Sequence, residues 1–105
     1  MNLTRVNVAH NSLRDLPEVI CDLVGLEKIE CGDNRVRRVP ESVSKLTRLT
    51  LLSLKNNNLR TLPKELGECI ALKTLSLNAN DLVDLPDHLC NLENLKRLTL
   101  AGKNS

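Results

Sequence analysis

Residues 30 to 38 read E-C-G-D-N-R-V-R-R. This stretch holds two carboxylates (Glu30, Asp33), a thiol (Cys31), a carboxamide (Asn34) and three arginines (Arg35, Arg37, Arg38). A thiol becomes a nucleophile when a neighbouring base or cation draws off its proton. Cys31 with Asp33 two residues on therefore has the letters of a covalent catalyst.

The other residues with chemical potential are sparse. Cys21, Cys31, Cys69 and Cys90 form no C-x-x-C pair, so neither a zinc knuckle nor a redox dithiol is encoded. Gly25, Gly32, Gly67 and Gly102 fit neither G-x-G-x-x-G nor G-x-x-x-x-G-K-[ST], so no phosphate cradle is read. No metal and no cofactor are expected.

Composition narrows the partners. The chain has 105 residues, 41% of them apolar, enough for one domain with a core. Fifteen basic against thirteen acidic residues leave a net charge of +2, too little to dominate binding to nucleic acid or a membrane surface. Phe, Tyr and Trp are all absent, which removes stacking platforms for single strands. No leader-like segment and no stretch of about eighteen apolar residues occurs, so no membrane span is expected. Asn2-Leu3-Thr4 matches a glycosylation acceptor but is read as chance.

What must position these residues is a repeat of 23 that runs the length of the chain. Its units are 3–25, 26–48, 49–71 and 72–94, with a partial fifth over 95–105. Position 1 is Leu3, Leu26, Leu49, Leu72 and Leu95. Positions 4 (Val6, Ile29, Leu52, Leu75, Leu98) and 6 (Val8, Cys31, Leu54, Leu77, Leu100) alternate, a strand signal. Position 9 is Asn11, Asn34, Asn57 and Asn80; positions 14 and 15 are Leu or Val followed by Pro17, Pro40, Pro63 and Pro86. Positions 18 and 21 are apolar and three apart, suiting the inner side of a helical turn. One unit cannot bury its own leucines, so the units must stack. The Asn column is expected to form a ladder, because a carboxamide supplies both donors and an acceptor where backbone turns inward. The column at position 19 (Cys21, Ser44, Gly67, Cys90) is small, as close packing of convex segments requires.

The pattern L-x-x-L-x-L-x-x-N-x-L-x-x-L-P-x-x-L-x-x-L resembles the leucine-rich repeat family over residues 3–102. The 23-residue length with Leu-Pro is similar to the intracellular group of Ras-suppressor and Scribble-type scaffolds. The resemblance implies an α/β solenoid: a curved parallel sheet on the concave face, loops and short helical turns on the convex one. It also implies a protein partner and no catalysis.

In register, Cys31 takes a core position and is expected to be an inert thiol. Some bacterial leucine-rich ubiquitin ligases use Cys-x-Asp, and Cys31-Gly32-Asp33 fits those letters, but in that family the motif sits in a separate helical domain. Cys21 and Cys90 share a column three units apart, roughly 14 Å, beyond disulfide reach. Free thiols point to a reducing, cytoplasmic setting. His10 and His88 are read as single surface residues.

The binding face is expected at the outward positions of the strands. These carry Arg5, Asn7, Lys28, Glu30, Leu51, Ser53, Lys55, Thr74, Ser76, Asn78 and Arg97, with Leu51 the apolar centre. Position 12 recurs as Arg14, Arg37 and Arg60, with Arg35 and Arg38 nearby, a basic stripe expected to pair with Glu18 and Glu41 or to receive an acidic partner or phosphate. No capping segment is evident, and Lys103 stands where a fifth Asn belongs. The chain thus reads as a segment of a longer solenoid or a small subunit. The leading function is a non-catalytic interaction module. An accessory subunit of a large assembly, or the recognition segment of an enzyme such as a ubiquitin ligase, are the alternatives.

Overall fold

The computed structural model describes residues 3–102; Asn2, Lys103 and Asn104, which carried the acceptor motif and the interrupted Asn column, lie outside them. Five strands of three residues form one parallel sheet in chain order: β1 (Arg5–Asn7), β2 (Lys28–Glu30), β3 (Leu51–Ser53), β4 (Thr74–Ser76) and β5 (Arg97–Thr99). Register follows the repeat, with Lys28 beside Leu51 and Leu51 beside Thr74. The middle residue of each strand points into the core and its neighbours point out. Ile29, Leu52 and Leu75 are accordingly fully buried.

Between strands the chain returns through four 3₁₀ segments: η1 (Glu18–Asp22), η2 (Glu41–Lys45), η3 (Lys64–Glu68) and η4 (Asp87–Asn91). Each begins after a proline held extended, at φ between −61° and −73°. The N–H of position 18 donates to the proline carbonyl and that of position 21 to position 18, as in Val43 to Pro40 and Leu46 to Val43 at 3.1 and 3.0 Å. Apolar residues three apart match the three residues per turn of this helix, so Val43 with Leu46, and Leu66 with Cys69, all face inward.

Stacking closes the core. Leu26, Leu49 and Leu72 are completely buried, as are Leu54 and Leu77, each contributing about 1.5–3 kcal/mol by leaving water. Burial fails at the two ends, where Leu3, Leu98 and Leu100 are exposed.

The strand leaves the sheet through a left-handed residue at position 8: His10, Asp33, Asn56 and Ala79 have φ between 55° and 61°. His, Asp and Asn tolerate that region; Ala79 carries a strain of roughly 1–2 kcal/mol there. The asparagine that follows joins units. The Asn57 Nδ2 donates to the carbonyls of Leu54, Lys55 and, in the unit before, Cys31, while its Oδ1 accepts from the Val36 N–H. Asn34 and Asn80 reach back in the same way. Asn11 heads the column as an exposed half-rung: its Nδ2 donates to Val8 and Ala9 within its own unit.

Candidate functional site

The stretch that looked catalytic is taken apart by the fold. Cys31 points beneath the sheet and is fully buried; burial pushes its thiol up to about 11, so it is protonated at neutral pH. Asp33 lies outside on the left-handed turn and faces away from it, toward His10 Nδ1 at 3.2 Å and the Asn56 Nδ2 at 2.8 Å. His10, read as a solitary surface residue, thus has a carboxylate partner 23 residues away. The fold brings acid and imidazole together and keeps the thiol apart from both.

The remaining cysteines follow the same rule. Burial pushes the Cys69 thiol up to about 12, and its Sγ donates to the Val43 carbonyl at 3.2 Å. Burial also raises Cys21. All four thiols are free, and Cys90 alone is exposed. Among the described residues no three His, Cys, Asp or Glu side chains gather to hold a metal, and no helix is long and apolar enough to cross a membrane.

The outward sheet face is built in rows, because in-register strands set like positions roughly 5 Å apart. One row is Arg5, Lys28, Leu51, Thr74 and Arg97. Leu51 sits half-buried at its centre, flanked by half-buried Lys28 and Thr74. The next row is Asn7, Glu30, Ser53 and Ser76, with Thr99 on β5. Two members are tied up locally: Asn7 Oδ1 accepts from the Ala9 N–H, and Asn78 Oδ1 from the Thr99 hydroxyl. Lys55 lies across Gly32, where a Cβ would come within 3.1 Å of the lysine Cγ. A larger residue at position 32 would lift that stem from the sheet.

The arginine column is placed differently from its sequence reading. Arg14 and Glu18, and Arg37 and Glu41, form no ion pairs; an extended proline, Pro17 or Pro40, stands between the members of each pair. Arg37 instead approaches Asp15 of the preceding unit at 4.0 Å, with both side chains more than half exposed. Lys45 meets Asp22 at 3.1 Å, again across units. Beside the column, Arg37, Arg38 and Arg60 with Asn58, Thr61 and Asp81 line an open pocket of about 640 Å³. Sequence reading set Arg35 and Arg38 near the column; the fold brings Arg38, and not Arg35, into this lining with Arg37 and Arg60.

An open stack of like units in one parallel sheet defines a repeat solenoid. The family described as Leucine Rich Repeat matches residues 48–69 and 71–92, the stretches that carry β3 and β4. Among solved structures, an LRR protein of Leptospira interrogans is similar, with a TM-score of 0.67 and 28% identity over 91% of this chain and 30% of that one. This chain therefore spans under a third of that protein's length. No curated protein gives a match. Sequence, sheet and neighbour agree on the fold, that of a leucine-rich repeat solenoid.

Proposed function

We propose that the chain is a non-catalytic module that holds a protein partner through its open sheet face. The observation that carries this reading is the row centred on Leu51: parallel sheets are normally covered on both faces, and here one face presents aligned side chains to solvent. Leu51 is the apolar anchor, and Lys55, Glu30, Ser53, Ser76 and Asn78 form the polar surround. Arg5 and Lys28 on one side and Arg97 on the other favour a partner whose apolar side chain is flanked by acidic ones. The 23-residue period with Leu-Pro supports placement with the intracellular scaffolds of signal transduction, and buried free thiols support a reducing, cytoplasmic setting.

Crosslinking from native lysate followed by mass spectrometry identifies the partner and the face it occupies. Leu51→Asp is then expected to weaken that partner at least tenfold while leaving the melting temperature unchanged. Crosslinks confined to the 3₁₀ side, or unchanged affinity in the variant, would refute the sheet-face reading.

A second reading is favoured by a different observation. Leu85 of the fourth unit and Leu98 and Leu100 of the fifth expose apolar surface, which suits an accessory subunit built into a larger assembly. Sedimentation that shows concentration-dependent association, abolished by Leu98→Glu, supports it; a monomer at every concentration rules it out.

A further inference from the structure

The pocket beside the Asn column is held on a rigid frame. Its segments are joined across units by backbone bonds, Arg37 N–H to Arg14 at 3.0 Å, Asn58 N–H to Val36 at 2.9 Å and Val83 N–H to Arg60 at 2.9 Å. Arg37 and Arg60 share a column one unit apart, so their stems start roughly 5 Å from each other. Among the described residues, Arg38 and Arg60 have no carboxylate within ion-pair distance, and Arg37 has only its long, exposed contact with Asp15. Three guanidinium groups against the single carboxylate of Asp81 leave the pocket two positive charges in excess. The excess belongs to this lining, and Arg38 also borders the adjoining groove.

We infer that this pocket receives a phosphorylated side chain of a protein partner. Guanidinium forks grip phosphate oxygens in pairs, and a phosphoserine or phosphothreonine carries about −1.5 to −2 at neutral pH, which offsets the excess. The source is a protein rather than a polyanion. The adjoining groove carries Asp15, Glu18 and Glu41, which would repel a phosphate backbone or an anionic lipid surface running on past the pocket. Nor does the chain have a Phe, Tyr or Trp ring for a base to stack on. This site lies off the sheet face and does not depend on the function proposed above.

The test is a titration of the ¹⁵N-labelled chain with the peptide acetyl-Gly-phosphoserine-Gly-amide at constant ionic strength. Saturable shifts are expected at the Nε–H signals of Arg37, Arg38 and Arg60, with none from the unphosphorylated peptide. Arg38→Gln with Arg60→Gln should weaken binding at least tenfold at unchanged melting temperature, and Arg60→Lys should weaken it severalfold because the charge stays and the fork is lost. Shifts spread evenly over all arginines, or equal affinity in the double variant, overturn the site. Tighter binding of a decathymidylate or of phosphatidylserine vesicles through the same arginines overturns the protein source.

Discussion

Gly67 of η3 lies directly beneath His88 of η4: a Cβ built on Gly67 would stand 2.9 Å from the His88 Cβ and run into its carbonyl oxygen. The approach sets how closely the third and fourth units nest. Gly67→Ala forces the two segments apart and is expected to cost about 1–3 kcal/mol, read as a lower urea midpoint. Gly25→Ala, whose Cβ would meet only the Leu3 carbonyl at 3.8 Å, should stay within about 0.5 kcal/mol of the parent.

The Asn column should show graded losses. Asn57 is buried with four hydrogen bonds, and removing its side chain orphans an amide and carbonyls inside the stack. Asn57→Ala is expected to cost about 2–4 kcal/mol. Asn11→Ala, at the exposed head of the column, should cost under about 1 kcal/mol in the same denaturation experiment.

Ala79 is held at φ 59° where glycine would be unstrained. Ala79→Gly is expected to gain about 0.5–1 kcal/mol, the relief of left-handed strain less the added freedom of the unfolded glycine. A loss of stability in calorimetry would show that the methyl group packs usefully.

Alkali should destabilise the fold through the buried thiols. Cys31 and Cys69 are raised to about 11 and about 12, from 9.0 in the unfolded chain. Between pH 9 and the folded values the unfolded state has lost protons that the native state keeps. Stability is therefore full below about pH 9 and falls as pH rises, by about 1.4 kcal/mol per unit for each thiol. Urea midpoints measured from pH 8 to 11 should show this fall, and Cys69→Leu should make it shallower without abolishing it, since Cys21 and Cys31 are also raised.

Thiol labelling gives a sharper map of the same packing. Cys90 is exposed, whereas Cys21, Cys31 and Cys69 are buried. Mass spectrometry after brief exposure to iodoacetamide at neutral pH is expected to find one modified cysteine, Cys90, and all four only after denaturation.

Much of this molecule was legible from its letters. Repetition of Leu, Asn and Leu-Pro at a period of 23 specifies which residues face inward, because a stack must bury the same positions in every unit. The three-residue spacing of Val43 and Leu46 foretells the turn they occupy. The inert character of Cys31 follows from its sharing a column with Leu54 and Leu77.

Relations between units were decided only by the tertiary structure. Residues 23 apart come within roughly 5 Å, while residues four apart, such as Arg14 and Glu18, form no pair across the extended Pro17. The pairing of His10 with Asp33, the seat of Lys55 over Gly32 and the gathering of Arg37, Arg38 and Arg60 are all of this kind. The left-handed column shows the boundary: His10, Asp33 and Asn56 are residue types suited to such a turn, yet Ala79 adopts it as well. There the stacked neighbours impose a conformation that the residue's own preference opposes. The sequence by itself determined what is inside, through a periodic demand for burial; the stack determined which surface groups meet, since their distances depend on how the units lie against one another.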